Sequence, residues 1–311
     1  MAWSSCTWVQ DDTDGCPYGF WLKLHYTYNI LDVEAAPEYV KDATVYVYDA
    51  DGNYVKRIDA THDELLANDH RVKVDGLTEG DYQFVVWSGM GNSRYAVSDD
   101  TKAMTDFRLS LVADSARSAV ELPALYHGRL AAVHYDEAYA QHDVQLTKNT
   151  NQLACVIVSV CDTVTVNPAD FSMSIVTANG TMDAWNRLAS DSLTTYTPFV
   201  KERVLVNDQT LGTLNGAKYS LMTLRLMNDR DCRFILTQNS TGQKVFDISF
   251  PEFVGMLGSL YTNLGRPLSV QEYLDRQDFY TIVFFLSDNL DQLIQLQVNS
   301  WRLRPYNHLK L

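Results

Sequence analysis

Asp42-Ala-Thr-Val-Tyr-Val-Tyr-Asp49, Ala50-Asp51-Gly52, then Asn53-Tyr-Val-Lys-Arg-Ile58 is the stretch that decides the fold class. β-branched and aromatic residues fill both flanks, and such side chains suit a pleated, half-buried surface. Asp51-Gly52 between two such runs is a strong hairpin signal, because a tight reversal needs residues that tolerate positive φ. Asp49 and Asp51 also match the start of a calcium loop. Gly52 comes too early for an EF-hand, however, and no Glu follows at the required distance. The stretch therefore reads as a β-hairpin.

The same pattern extends outward. Upstream, Phe20, Leu22, Leu24, Tyr26 and Tyr28 alternate with Trp21, Lys23, His25 and Thr27, the signature of a half-buried strand. Downstream, Thr61 followed three residues later by Glu64 caps a short helix, and strands are expected over residues 71–74, 82–88 and 107–112. Residues 122–128 close this half, followed by 130–135 and a polar segment, 136–143. The second half opens with 144–152, which runs into Leu153-Ala-Cys155-Val-Ile-Val-Ser-Val-Cys161, read as one strand. Strands follow at 171–176, 201–207, 217–227, 232–237 and 244–250, then a helical or irregular segment over 251–262. Ser269 and Glu272 form a capping box for a helix ending at Arg276, and strands over 279–286 and 293–298 finish the pattern, with Trp301 just beyond. Short strands with regular turn punctuation predict an all-β protein of two β-sandwich domains with a few short helices. The break falls near 138–146, giving residues 1–18 as a linker, 19–143 as one domain and 144–311 as the other.

Composition narrows the function. A net charge of -14 argues against nucleic acid, since phosphate binding needs clustered Lys and Arg. No run of 18 apolar residues exists, so no helical span is predicted. Of the five cysteines, Cys155 and Cys161 lie roughly 20 Å apart along an extended strand and cannot bridge each other. Both read as buried small hydrophobes. No CxxC pair suggests a structural zinc, and no metal or other cofactor is expected.

No pattern of catalytic chemistry emerges. The seven histidines fall in no HExxH or HxH arrangement. His62, His70, His127 and His134 have no nucleophile nominated near them. Gly89-Met-Gly91 lacks the third glycine of a dinucleotide site, and neither a nucleophile elbow nor a P-loop occurs. The chain is not expected to be an enzyme.

The first residues, Met1-Ala-Trp-Ser-Ser-Cys6, read like the end of a bacterial lipoprotein signal, in which the cysteine is acylated. The acidic, polar 10–15 that follows suits a linker between a lipid and a folded body. The residues before Cys6 carry neither a charged n-region nor an apolar h-region, so the expected start is a few residues before an acylation site. An incidental cysteine on a cytosolic chain is the alternative.

Several stretches together resemble FimB-type fimbrial anchor proteins of type V fimbriae. They are Asp11-Asp12-x-x-Gly15-Cys16-Pro17-x-Gly19 leading to Tyr26-Thr-Tyr28-Asn29, Val45-Tyr-Val-Tyr-Asp49-x-Asp51-Gly52, and Gly80-Asp-Tyr82 through Trp87-Ser-Gly89. Leu122-Pro123-x-Leu125-Tyr126-x-Gly128, Leu146-Thr147-x-Asn149-x-Asn151 and Val298-Asn299-x-Trp301 complete the ordered set. The resemblance implies two transthyretin-like sandwiches in an outer-membrane lipoprotein at a fimbrial base, with fimbrial stalk subunits as partners. Stalk subunits of the wider group are cut after an Arg, which removes the acylated first strand. Here the first Arg is Arg57, inside the first domain, so the Cys6 lipid tether is expected to persist. An uncut first strand should also block a partner on that edge and limit polymerisation. The candidate strand-exchange segment is the C-terminal one, with Leu293, Leu296, Val298 and Trp301, although it also reads simply as the last strand of the domain. A fimbrial tip adhesin and a surface carbohydrate-binding lipoprotein are the alternative functions.

Overall fold

Alternation becomes strand after strand. The structure, a computed structural model, describes residues 19–98, 102–136, 139–258, 261, 264–299 and 301–303. In β1 (Phe20–His25) the apolar set Phe20, Leu22 and Leu24 is buried while its neighbours stay half exposed. After α1 (Ala36–Tyr39) come β2 (Ala43–Asp49) and β3 (Tyr54–Ala60), the hairpin expected from Asp51-Gly52. Gly52 takes φ +84° there, and the Asp49 carboxylate accepts the Asn53 N–H at 2.8 Å. Helix α2 (His62–Ala67) starts in the capping box that Thr61 and Glu64 predict. β4 (Arg71–Val74), β5 (Gly80–Ser88), β6 (Tyr95–Val97), β7 (Arg108–Leu111), β8 (Arg117–Ser118), β9 (Tyr126–Tyr135) and β10 (Ala140–Gln145) complete the first half.

The second half begins with β11 (Thr147–Lys148) and β12 (Thr150–Ser159). It continues through β13 (Phe171–Thr177), β14 (Thr181–Asp183), β15 (Thr194–Tyr196), β16 (Val200–Asp208), β17 (Gly212–Leu224), β18 (Cys232–Gln238) and β19 (Lys244–Ser249). Two helices, α3 (Phe250–Gly258) and α4 (Val270–Arg276), precede β20 (Phe279–Leu286), β21 (Leu293–Val298) and β22 (Trp301–Leu303). The segment after Phe250 is thus helical as far as Gly258, with Pro251 in the first turn, where a missing N–H costs nothing. Ser269 does cap α4, accepting the Glu272 N–H at 3.2 Å, but the reciprocal half of the expected capping box is not made. The Glu272 carboxylate instead takes a two-pronged bond from Arg266 and another from Arg276.

The strands form two packed layers in each half. In the first, β10-β1-β4 faces β11-β9-β5-β2-β3 over a core that includes Phe20, Leu22, Val45, Val47, Phe84 and Val86. In the second, β16-β17-β12-β20-β21-β22 faces β19-β18-β13-β15-β8. Pairings cross the 143/144 boundary at several places: β7 with β14, β8 with β15, β9 with β11, and the end of β10 with β1. The second core likewise takes in Tyr46, Trp87 and Phe107 from the first half.

Two expectations change here. The first strand is not at an edge: β1 lies between β10, to which it is parallel, and β4, to which it is antiparallel. Periodicity shows which face of a strand is buried, but not which strands flank it. The strand through Cys155 also stops at Ser159, so Cys155 is buried whereas Cys161 sits half exposed in the turn beyond. There its sulfur lies 3.1 Å from the Thr163 hydroxyl.

Close backbone approach fixes two glycines. A Cβ on Gly128 would fall 2.6 Å from Val144 Cγ1, where β9 passes beneath β10. One on Gly89, at φ +86°, would sit 1.9 Å from the Ala124 carbonyl oxygen. Leu22, fully buried in the interior strand β1, carries a large share of the first core. Leu22→Ala is expected to lower unfolding free energy by about 3 kcal/mol in urea titration. The same truncation at Leu66, exposed on α2, should cost under about 0.5 kcal/mol.

Candidate assembly site

The sequence places its candidate contacts at the two ends of the chain. Cys6 lies outside the described residues. Leu293, Leu296 and Val298 all lie on β21, paired on one side with β20 and on the other with β22. Leu296 and Val298 are buried in the second core, and Leu293 packs against it. The Trp301 backbone opens β22, the outermost strand of that sheet, opposite Val298. Asn299 makes the turn possible. It takes φ +51°, where Asn is tolerated, and its side-chain oxygen accepts the Thr281 N–H at 2.9 Å.

The best-defined structure surrounds the exit from β1. Glu34 folds the loop after it: its carboxylate accepts the N–H groups of Tyr26 at 3.0 Å and Ala36 at 2.8 Å, and meets His25 Nδ1 at 2.6 Å. Partial burial alone would raise this carboxyl, but the three bonds hold it below the usual glutamate range. Asn29 then bridges the Tyr26 and Val33 carbonyls, which fixes the loop's width.

A latch from the second half grips this loop. Arg276, at the end of α4 and only 8% exposed, donates to the Asn29 carbonyl at 3.1 Å and to the Asp32 carboxylate at 3.0 Å. Its guanidinium lies 4.3 Å from the centre of the Tyr28 ring, a cation–π contact. Glu272, held ionised by the Arg266 hydrogen bonds, fixes Arg276 from behind at 3.0 Å. Tyr261 adds a hydroxyl donated to the Ile30 carbonyl at 2.5 Å.

Beneath the latch, buried polar contacts brace the second half internally, and His127 joins it to the first half. Asn149 and Asn186 exchange amide hydrogen bonds at 2.7 and 3.1 Å. Arg225 makes two parallel bonds to Asp275, each 2.8 Å, and donates to the Asn186 carbonyl at 2.7 Å. Asn151 and Asn179 both donate to the Leu224 carbonyl. Lys148 pairs with Asp278 at the start of β20. His127, on β9, packs edge-on against Trp87 at 4.7 Å, and its Nε2 lies 3.0 Å from the Ala184 carbonyl. Burial pushes the His127 imidazole down to about 4, so it is the neutral ring that donates there.

Of these residues, sequence reading had singled out Asn149, Asn151, Asn29 and Tyr28 only as parts of motifs. Arg276 and Asp32 carry no local signal, because their pairing joins positions 244 apart. Among the described residues no group of three or more His, Cys, Asp or Glu is placed to hold a metal. Burial raises the thiols of Cys155 and Cys232, the latter to about 12, which makes them inert packing groups.

Comparison with known proteins locates this architecture. Residues 13–306 match the family Mfa2, described as fimbrillin-A associated anchor proteins Mfa1 and Mfa2. No curated protein matches the sequence. Among solved structures, a candidate adhesin from Bacteroides thetaiotaomicron is 28% identical, with a TM-score of 0.81 over 93% of this chain and 98% of that one. A candidate polysaccharide-binding protein from Bacteroides thetaiotaomicron is also 28% identical, with a TM-score of 0.79 and the same coverage. The fimbrial anchor protein Mfa2 from Porphyromonas gingivalis shares the fold at 17% identity, with a TM-score of 0.68 over 94% of this chain and 100% of that one.

The joint should respond to acid. Because burial holds the folded His127 down at about 4, well below an unfolded histidine, the unfolded chain takes up the proton first. This contribution is whole above pH 6.5, declines as pH falls towards 4, and levels off below that. His127→Gln keeps a donor for the Ala184 carbonyl but cannot be protonated. Between pH 7 and 4 the wild type should lose on the order of 3 kcal/mol more stability than this variant, measured by denaturant unfolding at each pH.

Proposed function

The chain belongs to the Mfa2 family of fimbrillin-A associated anchor proteins, and on that footing we propose that it holds the base of a fimbria to the outer membrane through a lipid on Cys6. Membership implies a fimbrial, cell-surface location and a structural role. The tether and the limit on polymerisation are the finer parts of the reading. The tether is read from Ser4-Ser5-Cys6, and one observation supports the limit on polymerisation: the first strand occupies an interior slot of its sheet, hydrogen-bonded on both sides.

A strand so placed leaves no vacant groove for a neighbour's strand, and main-chain pairing is what strand donation offers. Keeping that strand requires that the chain escape Arg-directed cutting. The first Arg, Arg57, lies within β3, where Asp59 accepts from its guanidinium at 2.9 Å and the backbone is paired with β2. A protease needs an extended, unpaired segment, which this strand does not present without unfolding. In this reading residues 19–143 form the membrane-side unit and 144–311 present the fimbrial stalk contact. The Leu293–Val298 strand becomes available to a stalk subunit once the three-residue β22 gives up its place beside it.

One feature favours the adhesin alternative. A hollow of about 450 Å³ lies where Glu121, Lys148, Gln152 and Phe279 meet, with Phe279 44% exposed. An aromatic face beside such polar groups suits a sugar ring.

Three measurements separate the readings. Cys6→Ala in the full precursor should move the protein from the membrane to the soluble fraction, and continued fractionation with membranes would remove the lipid claim. Mass spectrometry of the native protein should find acylated Cys6 and no cut before residue 57. Deleting the gene should release fimbriae into the medium or change their length. Fimbriae that stay attached at unchanged length would instead favour the adhesin.

A further inference from the structure

Load applied at the start of β1 has a defined route through this fold. β1 and β10 run parallel, in register from Phe20 opposite Ala140 to His25 opposite Gln145. Backbone bonds extend the ladder at both ends, from Ala140 N–H to the Gly19 carbonyl at 3.2 Å and from Leu146 N–H to the His25 carbonyl at 2.7 Å. Side chains add rungs. Thr27 donates its hydroxyl to Gln145 Oε1 at 2.7 Å, and His25 Nε2 lies 3.3 Å from Asp143.

The chain enters this pair at the N-terminal end of β1 and leaves it at the C-terminal end of β10. From there it continues through β11 into β12, a central strand of the second half. When one end is held at Gly19 and the other in the second half, the two strands are drawn past each other along their length. In a parallel pair loaded this way the evenly spaced hydrogen bonds share the load together, instead of opening one after another as in a peeled hairpin. On its other side β1 is paired with β4, from Phe20 opposite Val74 to Lys23 opposite Arg71. Sliding β1 out therefore strains both ladders at once. At its far end the Arg276 latch holds the exit loop to the second half.

We infer that β1, clasped between β10 and β4 and latched by Arg276, is a shear clamp that bears tension between the N-terminal tether and the body of the protein. The inference rests on the tether reading for its biological use, but its mechanics belong to the folded chain alone. The clamp directs the pull of an attached filament along the axis of the first strand, the direction in which the strand is hardest to withdraw.

Single-molecule force spectroscopy tests this directly. One handle is joined to the N-terminus and the other is inserted in the turn at residues 239–243, between β18 and β19. A second protein carries its first handle at Leu31, exposed in the exit loop, so that load reaches β1 from its C-terminal end. At equal loading rates the first rupture force should be at least about twofold higher for N-terminal loading, since forced unfolding follows the unfolding barrier along the pulled direction. Ala140→Pro removes the bond to the Gly19 carbonyl at the first position of an edge strand, where proline is tolerated. It should lower the rupture force in the N-terminal geometry and leave the Leu31 geometry unchanged. Equal forces in the two geometries, or an equal loss in both on Ala140→Pro, would overturn the clamp. Because the handle stands in for the lipid, failure of the Cys6 tether would show in membrane fractionation and not here.

Discussion

The structure depends on a ladder closed between distant parts of the chain: β1 pairs with β10, and Gln145 contacts His25 across 120 positions. Everything between them, including the hairpin of β2 and β3, is enclosed in the loop that this ladder closes. Closing so long a loop has an entropic cost that rises slowly with its length. The return is large, because β1 buries Phe20, Leu22 and Leu24 in one step and completes the smaller layer of the first sandwich.

Charged contacts elsewhere fall into two groups with different consequences. Lys23–Asp69, Arg57–Asp59 and Arg230–Asp191 each have at least one strongly exposed partner, and pairs of that kind contribute little. Arg225–Asp275 differs: both side chains are largely buried and the contact is bidentate. A buried pair of this kind fixes geometry more than it adds stability, since desolvation offsets much of the attraction. Its place beside Asn186 and one residue from Arg276 gives it that role. It sets the angle at which α4 presents the latch to the first half.

Much of this was legible in the residues, within physical limits. The Asp51-Gly52 hairpin and the Thr61 capping box were readable because they depend on neighbours a few positions apart. Longer strands announced themselves by alternation, as in β13, or by a nearly unbroken apolar run, as in β20. β8 and β11, two residues each, contain too few positions to show a period. The β7–β14 and β8–β15 pairings, which help tie the halves together, were invisible because they join positions far apart in the chain. The interior position of β1 could not be read, because a strand's periodicity is the same whether it has one neighbour or two. Asn149 and Asn151 stood out as a motif, but their buried amide bonds depend on Asn186 and Leu224, far along the chain.

The outer strands of the two large sheets have a further consequence. β3 carries Lys56, Arg57 and Asp59, and β16 carries Lys201, Glu202 and Arg203, and among the described residues each is an outermost strand of its sheet. An unprotected margin of paired-strand backbone invites the same margin of another copy, and closely spaced charges of both signs make that approach costly. Copies of the chain at high local concentration would then stay separate molecules instead of knitting side by side into a continuous sheet.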